Sequence, residues 1–182
     1  MKLQELLKGI EVIECTASPE LEISGVSADS RQVQPGGLFV AVPGFAADGH
    51  KFIPAAVKNC AAAVICEKKP QIDVPYVLTG NARHALAMAA ANWYGHPADS
   101  MTMIGVTGTN GKTTVTYLLK TVLEKTLGAK VGLIGTIQNM IGDKVLDTER
   151  TTPESIELQK LFAEMRDAGC THVVMEVSSH AL

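Results

Sequence analysis

The stretch MTMIGVTGTNGKTTVTYLLK, residues 101–120, constrains the fold of this chain more than any other segment. A run of strand-forming residues leads into a loop with two glycines, and a helical pattern begins directly after the loop. Gly108 and Gly111 can adopt backbone angles that other residues avoid, so the loop can surround an anion with its N–H groups. The amino end of the helix also favours negative charge. The order strand, glycine loop, helix therefore predicts a phosphate-binding site in an α/β domain.

The side chains that follow the glycines favour a nucleotide site over a simple glycine turn. Lys112 can reach terminal phosphates, and the Thr113 hydroxyl can bind Mg²⁺. Val106 departs from the usual pattern, which has a glycine five positions before Gly111. A turn with an incidental lysine is therefore the alternative, but the strand before the loop and the helix after it favour the nucleotide. Because no G-x-G-x-x-G follows a strand, a hydride-transfer site is disfavoured.

A second candidate residue, Glu176, lies near the carboxyl end of the apolar run THVVMEV. Ligands of parallel sheets bind at this end of the strands, and phosphate-loop sites need a neighbouring carboxylate for Mg²⁺. A salt bridge to a lysine is the alternative, because a buried carboxylate is costly without a partner. The position favours a metal ligand. Ser178 and its neighbours Ser179 and His180 suit substrate contacts and a turn cap equally well.

Strands and helices alternate along the chain, which predicts an α/β protein with parallel sheets. We place a small unit at residues 1–98, in which we expect Asn81 to cap the helix that follows it. We place a second unit at residues 99–182, in which we expect KVGLIGTI to form a strand. In the second unit we expect a hairpin turning at Gly142–Asp143 and a helix with Pro153 in its first turn. Three parallel strands make a thin sheet whose final strand would lie at an open edge. We therefore expect the chain to be the front portion of a longer protein.

Composition argues against several other classes of protein. The net charge of −3 and the pI near 5.9 provide no basic surface for nucleic acid. The four cysteines are scattered, which favours buried, reduced thiols over a zinc site or a disulfide framework. The amino terminus lacks the apolar core of a signal peptide, and no apolar run is long enough to cross a membrane. We expect a soluble, cytoplasmic protein with no membrane insertion.

Three motifs, GVTGTNGKTT, TTPES and MEVSSHAL, resemble the Mur ligase family in their order and spacing. The segment VSADSRQVQPGGLFVAVPGFAADGHKF resembles the uridine-diphosphate-binding domain of members that add a diamino acid. The likeness covers essentially the whole chain. It implies a small amino-terminal α/β UDP-binding domain followed by an incomplete P-loop-type parallel-sheet ATPase domain. It also implies that the family's carboxy-terminal amino-acid-binding domain is absent from these 182 residues.

The resemblance assigns residues to two ligands and to Mg²⁺. Lys112 would be catalytic, and Thr113 and Glu176 would hold Mg²⁺. ATP would bind Gly108, Thr109, Asn110, Gly111, Lys112, Thr113 and Thr114. The UDP substrate would contact Ala28, Ser30, Phe45, Ala46, Ala47, Thr151, Thr152 and Ser178. Some members carry Asn just before the threonine pair, where this chain has Arg150, so no contact is assigned to that side chain.

The implied reaction joins a diamino acid, L-lysine or meso-diaminopimelate, to UDP-N-acetylmuramoyl-L-alanyl-D-glutamate through an acyl phosphate. Such an enzyme serves peptidoglycan precursor synthesis. We expect a monomer, and we expect the 182 residues alone not to catalyse ligation. A folylpolyglutamate-synthetase-like ligase is one alternative, although those enzymes lack the leading domain. A non-ligase nucleotide-binding module is another, but no guanine-reading N-K-x-D motif is present, and the nearest segment reads NMIGDK.

Overall fold

The computed structural model describes residues 1–44, 47–146 and 153–178. The chain divides into two compact units, Met1–Gly95 and His96–Leu182, whereas the sequence places the boundary after residue 98. Each unit contains a β-sheet with helices packed against it. The expected α/β class is therefore confirmed.

The first unit is built on a mostly parallel sheet, described here from one edge to the other. Four strands, β5, β4, β3 and β2, pair in parallel, and β1 pairs antiparallel with β5 at one edge. The strands are β1 Glu14–Cys15, β2 Val26–Ser27, β3 Leu38–Val40, β4 Ala63–Cys66 and β5 Tyr76–Leu78. The α-helices are α1 Leu3–Leu6, α2 Ile53–Lys58 and α3 Ala82–Trp93, and a 3₁₀ turn covers Gly49–Phe52.

Local sequence explains where these elements begin and how they pack. Every residue of β3 and β4 is buried, as expected for parallel strands covered by helices on both faces. Asn81 caps α3 as predicted, because its side-chain oxygen accepts a hydrogen bond from the His84 N–H. Asn92, near the other end of α3, donates from its amide to the carbonyls of Leu6 and Lys8, both at 2.8 Å. These bonds fasten the amino-terminal segment to the helix.

The second unit contains the glycine loop. Its described strands are β6 Thr102–Val106, β7 Val131–Ile134, β8 Asn139–Ile141, β9 Lys144–Leu146 and β10 His172–Glu176. Its helices are α4 Lys112–Leu127 and α5 Ser155–Asp167, and a 3₁₀ turn covers Pro97–Ser100. The sheet order is β6-β10-β7-β8-β9, with the first three strands parallel and the others antiparallel. The hairpin predicted to turn at Gly142–Asp143 is confirmed as β8 and β9.

The expected open edge at the final strand is wrong. Strand β10 lies in the centre of its sheet, with β6 on one side and β7 on the other. The side chains of Val173 and Val174 are fully buried there. Strand β6, which carries the glycine loop, lies at the edge of the described sheet. The crossover through α5 inserts β10 between β6 and β7. The order of the strands along the chain does not predict such an insertion.

Two smaller expectations also change. Pro153 precedes the helix rather than lying in its first turn, because Glu154 is the N-cap with an extended ψ of 161°. Burial holds for Cys66 and Cys170 but is wrong for Cys15 and Cys60, which are exposed; all four thiols are free. Burial raises the pKa of the Cys66 thiol to about 11, so it stays protonated at neutral pH. Among the described residues, no helix has the length and apolar character needed to cross a membrane.

Candidate nucleotide and substrate sites

The glycine loop turns where the sequence predicts that it turns. Gly108 has φ of +142° and Gly111 has φ of +79°, a region that favours glycine, and α4 begins directly after Gly111. Val106, the departure from the usual motif, is the last residue of β6 and pairs with Glu176 of β10. A glycine at position 106 would therefore lie inside a strand, where no unusual angle is required. The substitution leaves the loop geometry intact.

The loop leads directly into the amino end of α4. The ammonium group of Lys112 donates a hydrogen bond to the Gly108 carbonyl at 2.8 Å, which brings its positive charge onto the loop. Thr109, Asn110 and Thr114 are exposed to solvent. Helix α4 is 16 residues long, and its amino end adds partial positive charge at the same place. The predicted phosphate-binding residues thus lie on one continuous, accessible turn.

Glu176 faces the first turn of this helix from the central strand. Glu176 is 1% exposed, and its Oε2 accepts a hydrogen bond from the Thr113 hydroxyl at 3.1 Å. The same oxygen accepts from the Thr136 hydroxyl at 3.2 Å, and Oε1 accepts from the Thr136 N–H at 3.1 Å. A buried carboxylate requires such donors because it has lost its water.

The donor set at this point fits a hard divalent cation. A carboxylate oxygen and a hydroxyl oxygen, which come from residues far apart in the sequence, lie 3.1 Å apart beside the phosphate loop. Magnesium prefers oxygen ligands, and it is usually held by one or two protein groups together with phosphates and water. Glu176 and Thr113 are therefore the residues that would hold Mg²⁺. The structure brings this predicted pair together.

Sequence reasoning missed two residues of this site, Gly135 and Thr136. They follow β7, which lies beside β10 in parallel register, so they leave the sheet at the same edge as Glu176. An added Cβ at Gly135 would lie only 2.6 Å from the Glu176 Oε1, so glycine leaves room for the carboxylate. In the sequence, Thr136 is a polar residue shortly after the apolar run of β7, which could have indicated a site at this end of the strand. KVGLIGTI instead predicts one continuous strand that includes Thr136.

Three of the predicted UDP contacts in the first unit, Ala28, Ser30 and Ala47, lie in segments that follow strands β2 and β3. Ala28 and Ser30 follow β2, and Ala47 lies in the segment after β3; Ala28 and Ala47 are exposed, whereas Ser30 is buried. Since β2 and β3 are parallel, both segments begin at the carboxyl ends of their strands, on the same side of the sheet. Phe45 and Ala46 lie outside the described residues.

Two polar interactions shape the turn that carries Ser30. The Arg31 guanidinium binds the Asp29 carboxylate at 2.6 Å, and it lowers the pKa of that carboxyl below its usual value. The carbonyl of Ser30 itself accepts a hydrogen bond from the Asn59 amide at 2.8 Å. These interactions link Asp29 to Arg31 and the Ser30 backbone to Asn59.

Three further predicted contacts with the UDP substrate fall in the second unit. Ser178 is half-buried, two residues beyond the end of β10. Thr151 and Thr152 lie outside the described residues, so the structure does not place them.

Two family models match the chain over adjoining segments. The Mur ligase family catalytic domain matches residues 22–105, and the Mur ligase middle domain matches residues 106–182. The chain belongs to the Mur ligase family. The boundary between the two matches falls at the end of β6, just before the glycine loop.

Two curated relatives of the chain carry one name. A protein of Caldanaerobacter subterraneus subsp. tengcongensis is 50% identical over the whole chain, and one of Listeria monocytogenes is 44% identical. Both are named UDP-N-acetylmuramoyl-L-alanyl-D-glutamate–2,6-diaminopimelate ligase. The chain spans 38% and 37% of their lengths, respectively.

Solved Mur ligase structures share the fold. A structure of a UDP-N-acetylmuramoyl-L-alanyl-D-glutamate–2,6-diaminopimelate ligase matches 99% of this chain with a TM-score of 0.80 and 28% identity. The match covers 36% of that chain. A MurF ligase from Thermotoga maritima in complex with ADP matches 85% of this chain and 32% of its own, with a TM-score of 0.56 and 28% identity.

Proposed function

We propose that this chain carries the ATP site and the UDP-substrate site of an amide ligase. The ligase would join 2,6-diaminopimelate to UDP-N-acetylmuramoyl-L-alanyl-D-glutamate with consumption of ATP. The observation that carries the proposal is the contact between Thr113 and Glu176 at the foot of the glycine loop. The names of the relatives support the choice of substrates, and they favour diaminopimelate over lysine.

The proposed reaction begins with phosphoryl transfer to a carboxylate. A substrate carboxylate oxygen attacks the terminal phosphorus of ATP, the bond to ADP breaks, and an acyl phosphate forms. The amine of the diamino acid then attacks the acyl carbon, phosphate leaves with the bonding electrons, and the amine loses a proton. The first step requires stabilisation of negative charge on the transferred phosphoryl group more than covalent help from the protein.

The residues of the loop suit the first of these steps. Lys112 supplies a positive charge beside the loop N–H groups, where the terminal phosphates of ATP would bind. To reach them, its ammonium must exchange the Gly108 carbonyl for phosphate oxygens. Mg²⁺, held by Thr113 and Glu176, would neutralise part of the phosphate charge when bound. We include Ser178, Thr151 and Thr152 in the proposal as contacts to the muramoyl-peptide part of the substrate.

The leading domain distinguishes this proposal from its alternatives. Folylpolyglutamate-type ligases lack such a domain, whereas the first unit of this chain carries Ala28 and Ser30 directly after β2 of a mostly parallel sheet. A nucleotide-binding switch would require neither this unit nor a UDP substrate.

We also propose that the chain is a monomer, which sedimentation equilibrium tests directly.

Thermal shift with UDP-N-acetylmuramoyl-L-alanyl-D-glutamate tests the substrate assignment. A ligand that binds only the folded state at 100 times its Kd adds about 2.7 kcal/mol of stability, so the Tm must rise. Ala28→Phe should abolish the shift, because the exposed Ala28 borders the proposed site. A matched change at another exposed apolar position, Ile13→Phe, should keep it. A rise with pteroylglutamate instead, or no rise with the UDP compound, would contradict the proposal.

A further inference from the structure

The carboxylate of Glu176 is held on both of its oxygens by one residue of the neighbouring strand end. Thr136 donates its backbone N–H to Oε1 at 3.1 Å and its hydroxyl to Oε2 at 3.2 Å. Two donors from one residue on two oxygens fix the plane of a carboxylate and its direction. A single donor would fix only one oxygen and leave the group able to rotate.

We propose that Thr136 is a positioning residue that orients Glu176 for a divalent cation at the glycine loop. The inference rests on the proposed function, since it assigns a role within that Mg²⁺–ATP site. Thr136 acts through Glu176, and no contact between Thr136 and a ligand is required.

The two hydroxyls on Glu176 differ in what a bound cation would require of them. Thr113 lies in the first turn of α4, and its oxygen is itself one of the proposed cation ligands. Thr136 follows β7, which pairs with β10 on the side opposite to β6, the strand that leads into the loop. A group that holds the carboxylate independently of the loop keeps the ligand oriented while Thr113 changes its partner. Groups of this kind commonly determine metal affinity without touching the metal.

A purely structural role for the Thr136 hydroxyl is the competing explanation. Thr136 is exposed as a residue, so its side chain fills no cavity in the core. The residue before it, Gly135, gives the carboxylate the space to approach the Thr136 N–H. Both observations connect the pair Gly135–Thr136 with the Glu176 carboxylate rather than with packing of the sheet.

The test compares Thr136→Val with Thr136→Ser in the whole chain. Valine keeps the shape and the backbone N–H but removes the hydroxyl, whereas serine restores the hydroxyl. The readout is Mn²⁺ affinity in the presence of a non-hydrolysable ATP analogue, measured from the EPR signal of free Mn²⁺. Loss of such an outer hydrogen bond typically weakens metal affinity by about 10–100-fold, so Thr136→Val should bind Mn²⁺ at least about 10-fold more weakly. Thr136→Ser should bind close to the wild-type level, with similar Tm for all three proteins.

The outcomes separate this inference from the function on which it rests. Equal Mn²⁺ affinity in Thr136→Val and the wild-type chain overturns the positioning role while leaving the nucleotide site intact. A weakened affinity that Thr136→Ser does not restore also overturns it, because the hydroxyl would then not be the cause. If the wild-type chain shows no nucleotide-dependent Mn²⁺ binding, the proposed function fails and this inference fails with it.

Discussion

One methyl group at position 135 should displace the Glu176 carboxylate without unfolding the chain. The backbone of Gly135 lies outside the left-handed region, so alanine can adopt it. The new Cβ would lie 2.6 Å from the Glu176 Oε1 and 3.4 Å from its Cδ. Carbon atoms at Cβ positions do not approach neighbours closer than 3.0 Å, so the oxygen must retreat by about 0.4 Å or more.

The size of the effect follows from the bonds that such a shift disturbs. The Thr136 N–H lies 3.1 Å from the same oxygen, near the long end of the range for N–H···O hydrogen bonds, so a further 0.4 Å largely breaks it. A hydrogen bond to a charged group contributes about 1.5–3 kcal/mol, which bounds the loss of stability. The cation affinity should fall by about 10–100-fold, because the ligand itself is misplaced.

Isothermal titration calorimetry with Mg²⁺ and an ATP analogue measures this loss, and thermal unfolding measures the stability of the same variant. Gly105→Ala is the matched control: its Cβ would meet the Val177 side chain at 3.4 Å, an ordinary contact, one strand away from Glu176. We expect Gly105→Ala to bind Mg²⁺ as the wild-type chain does. Unchanged Mg²⁺ affinity in Gly135→Ala would show that cation binding does not require the observed position of the Glu176 carboxylate, and it would contradict this prediction.

Three other predictions concern separate parts of the chain. Lys112→Ala should weaken ATP binding by about 10-fold or more, which is the contribution of one charge-assisted hydrogen bond. The Tm should change little, because the lysine lies at the surface. Titration with a fluorescent ATP analogue measures the Kd, and an unchanged Kd would contradict a role of Lys112 in phosphate binding. Asn92→Leu should destabilise the first unit by about 1–3 kcal/mol, because the buried Leu6 carbonyl loses its donor, which urea unfolding measures. The hydrogen bond from His50 lowers the pKa of the Asp48 carboxyl in the folded chain. The ionised carboxylate therefore stabilises the fold fully above the unfolded pKa of about 3.9, and this stabilisation is lost as the pH falls below that value. The Tm difference between Asp48→Asn and wild type should therefore be clear at pH 7 and shrink towards pH 3, whereas a constant difference would contradict the linkage.

The sequence was sufficient to predict the local part of the candidate site. Residues 105–114 specify a turn through glycine angles and a helix start, both of which depend on neighbours in the chain. The hairpin at Gly142–Asp143 and the Asn81 cap are local in the same sense, and the structure confirms both. Glu176 was found because a carboxylate in an apolar run is unusual wherever the strand lies.

The order of strands and the partners of Glu176 could not be read in this way. Strand β10 is inserted between β6 and β7 through contacts between residues about 40–70 positions apart, which no local pattern records. Once β7 is known to be the neighbour of β10, Thr136 follows as a donor to Glu176. The short elements α1 and β1 escaped prediction because four and two residues are too few to show a period.

Calorimetric titration of the chain with ATP, once with Mg²⁺ and once with excess chelator, tests the proposed nucleotide site most directly. We expect one ATP per chain, bound tightly with Mg²⁺ and much more weakly without it. Glu176→Gln, which keeps the size of the side chain but removes its charge, should lose most of the difference that Mg²⁺ makes. No binding of ATP, or binding that neither Mg²⁺ nor Glu176→Gln affects, would contradict the assignment of the glycine loop and Glu176 as one nucleotide site.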